Sequence, residues 1–229
     1  MIEYRDAATR YVTRDGGRTT YHSFSFGAHY DPDNTGFGAL VAHNDERLPP
    51  GTGYDEHRHA DVEIVTWVLT GALRHTSDAG TGVVRHGQVQ RLSAGAGVIH
   101  AEVNAVEEET RFLQAWVRPD ETGTAPDYAW ADVDLREDWT VVAGVGGAVS
   151  LGARDSALLV AAPSEGRRLE LPDAPRLHVF VARGAVMLGE RRLGPADVAR
   201  LVDEGGRDVT AETDSELVVW AFGGLAGEL

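Results

Sequence analysis

"HRHADVEIVTWVLTGALRH", residues 57–75, opens with two histidines one residue apart, runs through eight residues rich in Val, Ile, Leu, Trp and Thr, and breaks at Gly71. An apolar run this short, β-branched and aromatic, and punctuated by glycine reads as a buried strand turning into a hairpin. The same texture recurs in "GVVRHGQVQRL" (82–92), "RFLQAWV" (111–117), "HVFVARGAVML" (178–188) and "ELVVWAF" (216–222). No window of a dozen residues keeps a period near 3.6 without a Gly or Pro breaking it. The predicted fold is therefore all-β: antiparallel barrels or sandwiches with few short helices.

The two halves of the chain echo each other. "VLTGAL" (68–73) precedes "VARGAV" (181–186) by 113 residues, and "GQVQRL" (87–92) precedes "ADVARL" (196–201) by 109. In each half an apolar strand reaches a glycine, turns, and returns to a Val-x-Arg-Leu strand. This predicts two copies of one barrel unit, the second with a hairpin four residues shorter. The Pro/Gly/acid-rich "RPDETGTAPDYAW" (118–130) is the best linker, giving domains 1–128 and 129–229.

Composition narrows the chemistry. A chain of 229 residues with 42% hydrophobic and 25% charged content can bury a sizeable core. With no cysteine, disulfides, zinc-finger ligation and thiolate catalysis are excluded, so any metal must be held by His and carboxylate. The formal charge of −15 repels a phosphate backbone, and direct nucleic-acid binding is not expected. The segment "MIEYRDAATRYV" is charged from its third residue and nothing approaches the roughly 18 apolar residues of a membrane span, which predicts a cytoplasmic protein. No feature signals an interface between copies, so a monomer is expected.

In an extended strand residues i and i+2 face the same way, about 6.6 Å apart, so His57 and His59 present two imidazoles on one side. "LSAGAGVIHAEVN" (92–104) repeats the device with His100 and Glu102. Two strands thus each offer a two-ligand edge. Three neutral imidazoles and one carboxylate make a borderline-hard site suited to Fe(II), Mn(II), Ni(II), Cu(II) or Zn(II), with positions left for substrate or water.

Gly51, His57, His59, Glu63 and Gly71 follow the spacing of the first cupin motif, and Gly87, Gly95, His100 and Asn104 that of the second, with Ser93 where many cupins have proline. Together with "HSFSFGAHYDPDN" (22–34), these blocks resemble the pirin family. The resemblance implies a bicupin: two antiparallel β-barrel or jelly-roll domains packed together, with metal in the N-terminal one alone. It implies His57, His59, His100 and Glu102 as metal ligands, Fe(II) as first candidate and Mn, Co, Ni, Cu or Zn as alternatives. The second half, with His178 its only histidine, has no His-x-His pair.

The ordinary cupin pattern nominates Glu63 as the carboxylate ligand; the family precedent favours Glu102. Glu63 then stands as a candidate cavity base beside Glu102. Asp55 and Asp61 read as turn residues, Asp31–Asn34 as a turn, His22 and His29 as hydrogen-bonding anchors of the N-terminal segment, and His75 and His86 as surface or rim positions. Arg58 should point away from any metal that His57 and His59 face. Arg58, Ala60 and Ala101 depart from the family's usual residues.

The resemblance implies a quercetin 2,3-dioxygenase type of activity on a small aromatic substrate with dioxygen. Its alternative is a metal- and redox-responsive regulatory protein that contacts a transcription factor or metabolic enzyme.

Overall fold

The computed structural model describes residues 1–226; residues 227–229, the tail of the expected second domain, lie outside the described residues. The strands are β1 (Ile2–Arg5), β2 (Tyr11–Asp15), β3 (Arg18–His22), β4 (Leu40–Leu48), β5 (Gly53–His59), β6 (Glu63–Thr70), β7 (Ala72–Ser77), β8 (Gly80–Arg85), β9 (Gln88–Ser93), β10 (Val98–Asn104), β11 (Thr110–Val117) and β12 (Asp127–Asp132). They continue as β13 (Thr140–Ala143), β14 (Ser156–Ala161), β15 (Arg168–Glu170), β16 (Arg176–Arg183), β17 (Val186–Leu188), β18 (Arg191–Leu193), β19 (Val198–Val202), β20 (Asp208–Ala211) and β21 (Glu216–Phe222). The one helical element among the described residues is a three-residue 3₁₀ turn, Ala7–Thr9. The all-β expectation holds, and no described helix is long and apolar enough to cross a membrane.

The chain divides into two compact units. The first holds Arg10–Val133 and Leu151–Ala153; the second holds Met1–Thr9, Asp134–Ser150 and Arg154 onward. The expected boundary after residue 128 falls inside β12, which pairs with β9 from Asp127↔Ser93 to Asp132↔Gln88. The last part of the supposed linker is thus an edge strand of the first unit. The first nine residues belong to the second unit because β1 pairs with β19, from Ile2↔Leu201 to Arg5↔Val198.

In the first unit a seven-stranded sheet, β12-β9-β6-β11-β4-β3-β2, accompanies a four-stranded one, β5-β10-β7-β8. Leu48, Val68, Leu73, Val84 and Phe112 form one apolar cluster, and Ile64, Leu92, Ala94 and Val98 another. The second unit repeats the plan with sheets β1-β19-β16-β21-β14-β13 and β15-β20-β17-β18. Its core is a larger aliphatic cluster including Leu159, Leu177, Val179, Leu201 and Val219. His178, between Leu177 and Val179 on β16, is fully buried.

The predicted echo is visible at the turns. Gly71, between β6 and β7, and Gly184, between β16 and β17, both take φ +77°, a left-handed conformation that glycine adopts without steric cost. A Cβ on Gly71 would collide with the Thr110 hydroxyl, and one on Gly184 with the Ser215 hydroxyl. The glycines are required twice over, by conformation and by space.

Candidate metal centre and its cavity

Strand β10 alternates strictly. Val98, His100, Glu102 and Asn104 are buried, while Ile99 and Val103 are exposed. Pleating therefore turns His100 and Glu102 to the same inward side, as their i, i+2 spacing predicts. Across the sheet His100 stands opposite His57, and Val98 opposite His59. The register then slips, so that Glu102 faces Tyr54: three steps along β5 match two along β10. This bulge at Asp55–Glu56 gives Tyr54 a place on the cavity wall beside His57 and His59, although regular alternation would send it to the other face. Asp55 is thus a strand residue, not a turn residue.

The structure brings the three predicted histidines together. Ring centroids lie 4.8 Å apart for His57–His59, 4.4 Å for His57–His100 and 4.9 Å for His59–His100. One nitrogen from each falls within 4.8 Å of the others. His57 Nε2 and His100 Nε2 are 3.0 Å apart, and His57 Nδ1 lies 2.7 Å from the Asp55 carbonyl oxygen. That carbonyl can only accept, so Nδ1 carries the proton and Nε2 keeps its lone pair. His59 Nε2 is buried without a hydrogen-bond partner. Two imidazole nitrogens about 2.1 Å from one ion and at right angles would be about 3.0 Å apart, so the separation and the orphaned nitrogen fit a shared cation. Burial is also the leading influence that lowers the pKa of both His59 and His100 to about 4, leaving neutral imidazoles at neutral pH.

Glu102 is placed differently. It groups with His100 and His75 in a second, wholly buried set rather than with the three histidines together. Gln90 Nε2 donates to its Oε1 at 2.8 Å, and Gln114 Nε2 to its Oε2 at 2.7 Å. Gln114 is in turn oriented by Trp116, whose indole N–H donates to its Oε1 at 3.2 Å. Burial works to raise the Glu102 pKa, but His75, His100 and the Gln114 amide outweigh it and hold the carboxyl below its usual range. A carboxylate has about four lone-pair sites, so two amide donors leave capacity for a ligand.

His75 is not a rim residue. It is fully buried, with Nδ1 3.5 Å from His100 Nδ1 and 3.8 Å from Glu102 Oε1, and Nε2 3.1 Å from Ser77 Oγ. Its ring stacks on Tyr128, with centroids 4.5 Å apart and planes at 4°. The Tyr128 hydroxyl donates to Gln90 Oε1 at 3.0 Å, closing a circuit through Gln90, Glu102 and His75. His86, by contrast, is exposed as expected.

Glu63 does not line the cavity. Its buried carboxylate accepts hydrogen bonds from the Gly152 and Ala153 amides at 2.8 and 3.3 Å, so the expectation of a cavity base there is corrected to a backbone-binding role. The turn at Asp61 takes φ +54°, and Asp61 Oδ1 accepts the Gly123 amide. Arg58 is exposed and donates to the Ala96 carbonyl, away from the histidines. His22 bridges Thr13 and Asn44 at 2.8 and 2.9 Å, and His29 lies 3.2 Å from the Val12 carbonyl, in keeping with anchoring.

The histidine cluster lies on a cavity of about 350 Å³, within the range of small-molecule sites. Phe26, Tyr54 and Trp116 supply aromatic walls, with Trp116 4.9 Å from the His59 ring and 5.2 Å from Phe26. Strand β4 turns Asn44 and Glu46 to the cavity; Asp45, between them, is gripped by Arg111 in two 2.8 Å hydrogen bonds. Sequence reasoning missed Gln90, Gln114, Glu46, Tyr54, His75 and Tyr128. Gln114 did carry a signal: it is the polar residue within the otherwise apolar run Phe112–Val117, where burial demands a partner.

A sequence profile described as Pirin matches residues 5–117. A Mycobacterium tuberculosis protein, provisionally named a quercetin 2,3-dioxygenase, is 42% identical over 99% of this chain and 97% of its own length. The quercetin 2,3-dioxygenase of Escherichia coli K12 is 32% identical over 96% of this chain and 98% of its own. The crystal structure of the bacterial pirin YhhW from Escherichia coli in complex with nickel(II) superposes with a TM-score of 0.90 at 29% identity, covering 97% of this chain and 99% of that one.

Proposed function

The chain belongs to the pirin family, and from that premise we propose that it is a metal-dependent dioxygenase cleaving flavonols of the quercetin type. His57, His59, His100 and Glu102 would hold one divalent first-row ion, Fe(II) being the first candidate. The carrying observation is the convergence of the His57, His59 and His100 nitrogens at an aromatic-lined cavity that His57 and His59 line. The nickel(II) complex of the Escherichia coli pirin supports a divalent ion as the cofactor.

A bound ion would supply Lewis acidity toward the flavonol 3-hydroxyl. The remaining work falls to the chain. Burial keeps His59 and His100 neutral, and so able to ligate at physiological pH. Glu102 accepts the proton of the 3-hydroxyl, having been held ionised by its surroundings and fixed in orientation by Gln90 and Gln114. Phe26 and Trp116 flank the ring system. Dioxygen then opens the heterocycle with release of carbon monoxide. Glu63, bound to backbone amides, has no part in this scheme.

Metal analysis of the purified protein should find one ion per chain, lost in His100→Ala. Protein loaded with Fe, Mn, Co, Ni or Cu should consume oxygen and release carbon monoxide in equal amounts with a flavonol. Absence of turnover with all five metals would overturn the assignment.

A further inference from the structure

The cavity contains a second polar feature that flavonol cleavage leaves unused. Glu46 is 2% exposed and yet lines the cavity. Thr20 Oγ1 and the Tyr54 hydroxyl both donate to its Oε2, at 2.6 and 2.7 Å; among the described residues neither donates to Oε1. Tyr54 links this carboxyl to the histidines: its ring stands 6.2 Å from that of His57 while its hydroxyl holds Glu46. Arg18 lines the cavity but is committed elsewhere, lying 4.3 Å over the Tyr54 ring and pairing with Asp15 at 2.6 Å.

A carboxylate oxygen that a ligand covers loses its water and then needs a donor, and one left without it is costly. A ligand that fills this cavity must therefore bring a donor to Glu46 while presenting an apolar body to Phe26, Tyr54 and Trp116. A phenol does both. We infer that Glu46, seated by Thr20 and Tyr54, is a specificity subsite that accepts a hydrogen bond through Oε1 from a phenolic hydroxyl remote from the reacting end of the substrate. The inference deepens the flavonol reading and rests on its aromatic-substrate element. Burial also pushes the Glu46 carboxyl up to about 7 against the pull of the two hydroxyls, a basicity suited to a phenol donor.

The test compares a simple phenol with its methyl ether, which lacks the donor, by calorimetric titration of the full-length purified protein at pH 8. A hydrogen bond to a charged acceptor predicts a preference for the phenol of about tenfold or more. Glu46→Gln should bring the ratio close to one. Glu46→Asp, which keeps the charge but withdraws it by one methylene, should reduce it and serves if the glutamine variant does not fold. An equal affinity of the unaltered protein for phenol and ether overturns the inference without recourse to any variant. So does a preference that survives Glu46→Gln, which would place the phenol elsewhere in the cavity. Failure of flavonol turnover with an intact, Glu46-dependent phenol preference would instead defeat the dioxygenase assignment and leave the subsite standing.

Discussion

At the scale of single residues, the candidate centre is governed by what burial does to ionisable groups. Glu46 shows the sign clearly. Its folded pKa is raised from 4.5 to about 7, so the folded protein holds this proton longer than the unfolded chain. The associated stability is fully present below about pH 4.5 and is lost as pH rises through about 7, a total on the order of 3 kcal/mol. Glu46→Gln does not titrate. Urea unfolding at pH 4.5 and pH 8 should therefore show the variant gaining on the unaltered protein by about that amount, and parallel pH profiles would refute the shift. His75 calls for a different measurement. His75→Phe keeps the stack on Tyr128 but removes the nitrogens facing His100 and Glu102, and loss of such an orienting partner typically lowers metal affinity 10- to 100-fold. Chelator competition reads this directly, with circular dichroism confirming the fold; an unchanged affinity would make His75 a packing residue only.

At the scale of elements, alternation and its interruption decide what lines the cavity. The convergence of His57, His59 and His100 and the inward turn of Glu102 were legible because each pair is spaced by two within one strand, and pleating needs no tertiary information. Tyr54 was not, because the bulge at Asp55–Glu56 is a property of the β5–β10 pairing that neither strand declares alone. His75 and Tyr128 were hidden by nonlocal packing: the former stands in a polar hairpin, the latter in a stretch whose Pro and Gly content reads as linker. Glu63 was misassigned because cupin spacing specifies its strand position but not the Gly152 and Ala153 amides that capture it. The repeated hairpins were read correctly because their glycines are demanded by the turn itself. The pairing beside the bulge gives a sharp test. A Cβ on Gly53 would strike the Glu102 carbonyl oxygen and come within 2.7 Å of Val103 Cα. Gly53→Ala should cost about 1–3 kcal/mol in thermal unfolding and loosen metal retention together. An unchanged Tm with full metal content would show that β5 can shift without disturbing the site.

At the scale of the whole molecule, two barrels of similar plan have diverged in what they carry. The first unit contains a polar, aromatic-lined cavity; the second fills the corresponding economy of residues with an aliphatic core. The order of the chain through them has a further consequence. Residues 1–9 belong to the second unit, residues 10–133 to the first, and the chain then returns. In chain order the first unit is therefore an insertion in the sequence of the second rather than a segment that precedes it in tandem. A protease that nicks the loop between β11 and β12 would not release a free N-terminal half, since that fragment still carries β1, hydrogen-bonded to β19 of the other. Nicked protein should elute from a sizing column as one species under native conditions and separate into two only in denaturant. Two pairings tie the pieces, β1 with β19 in the second unit and β12 with β9 in the first, so each unit holds a strand from both fragments of the cut molecule.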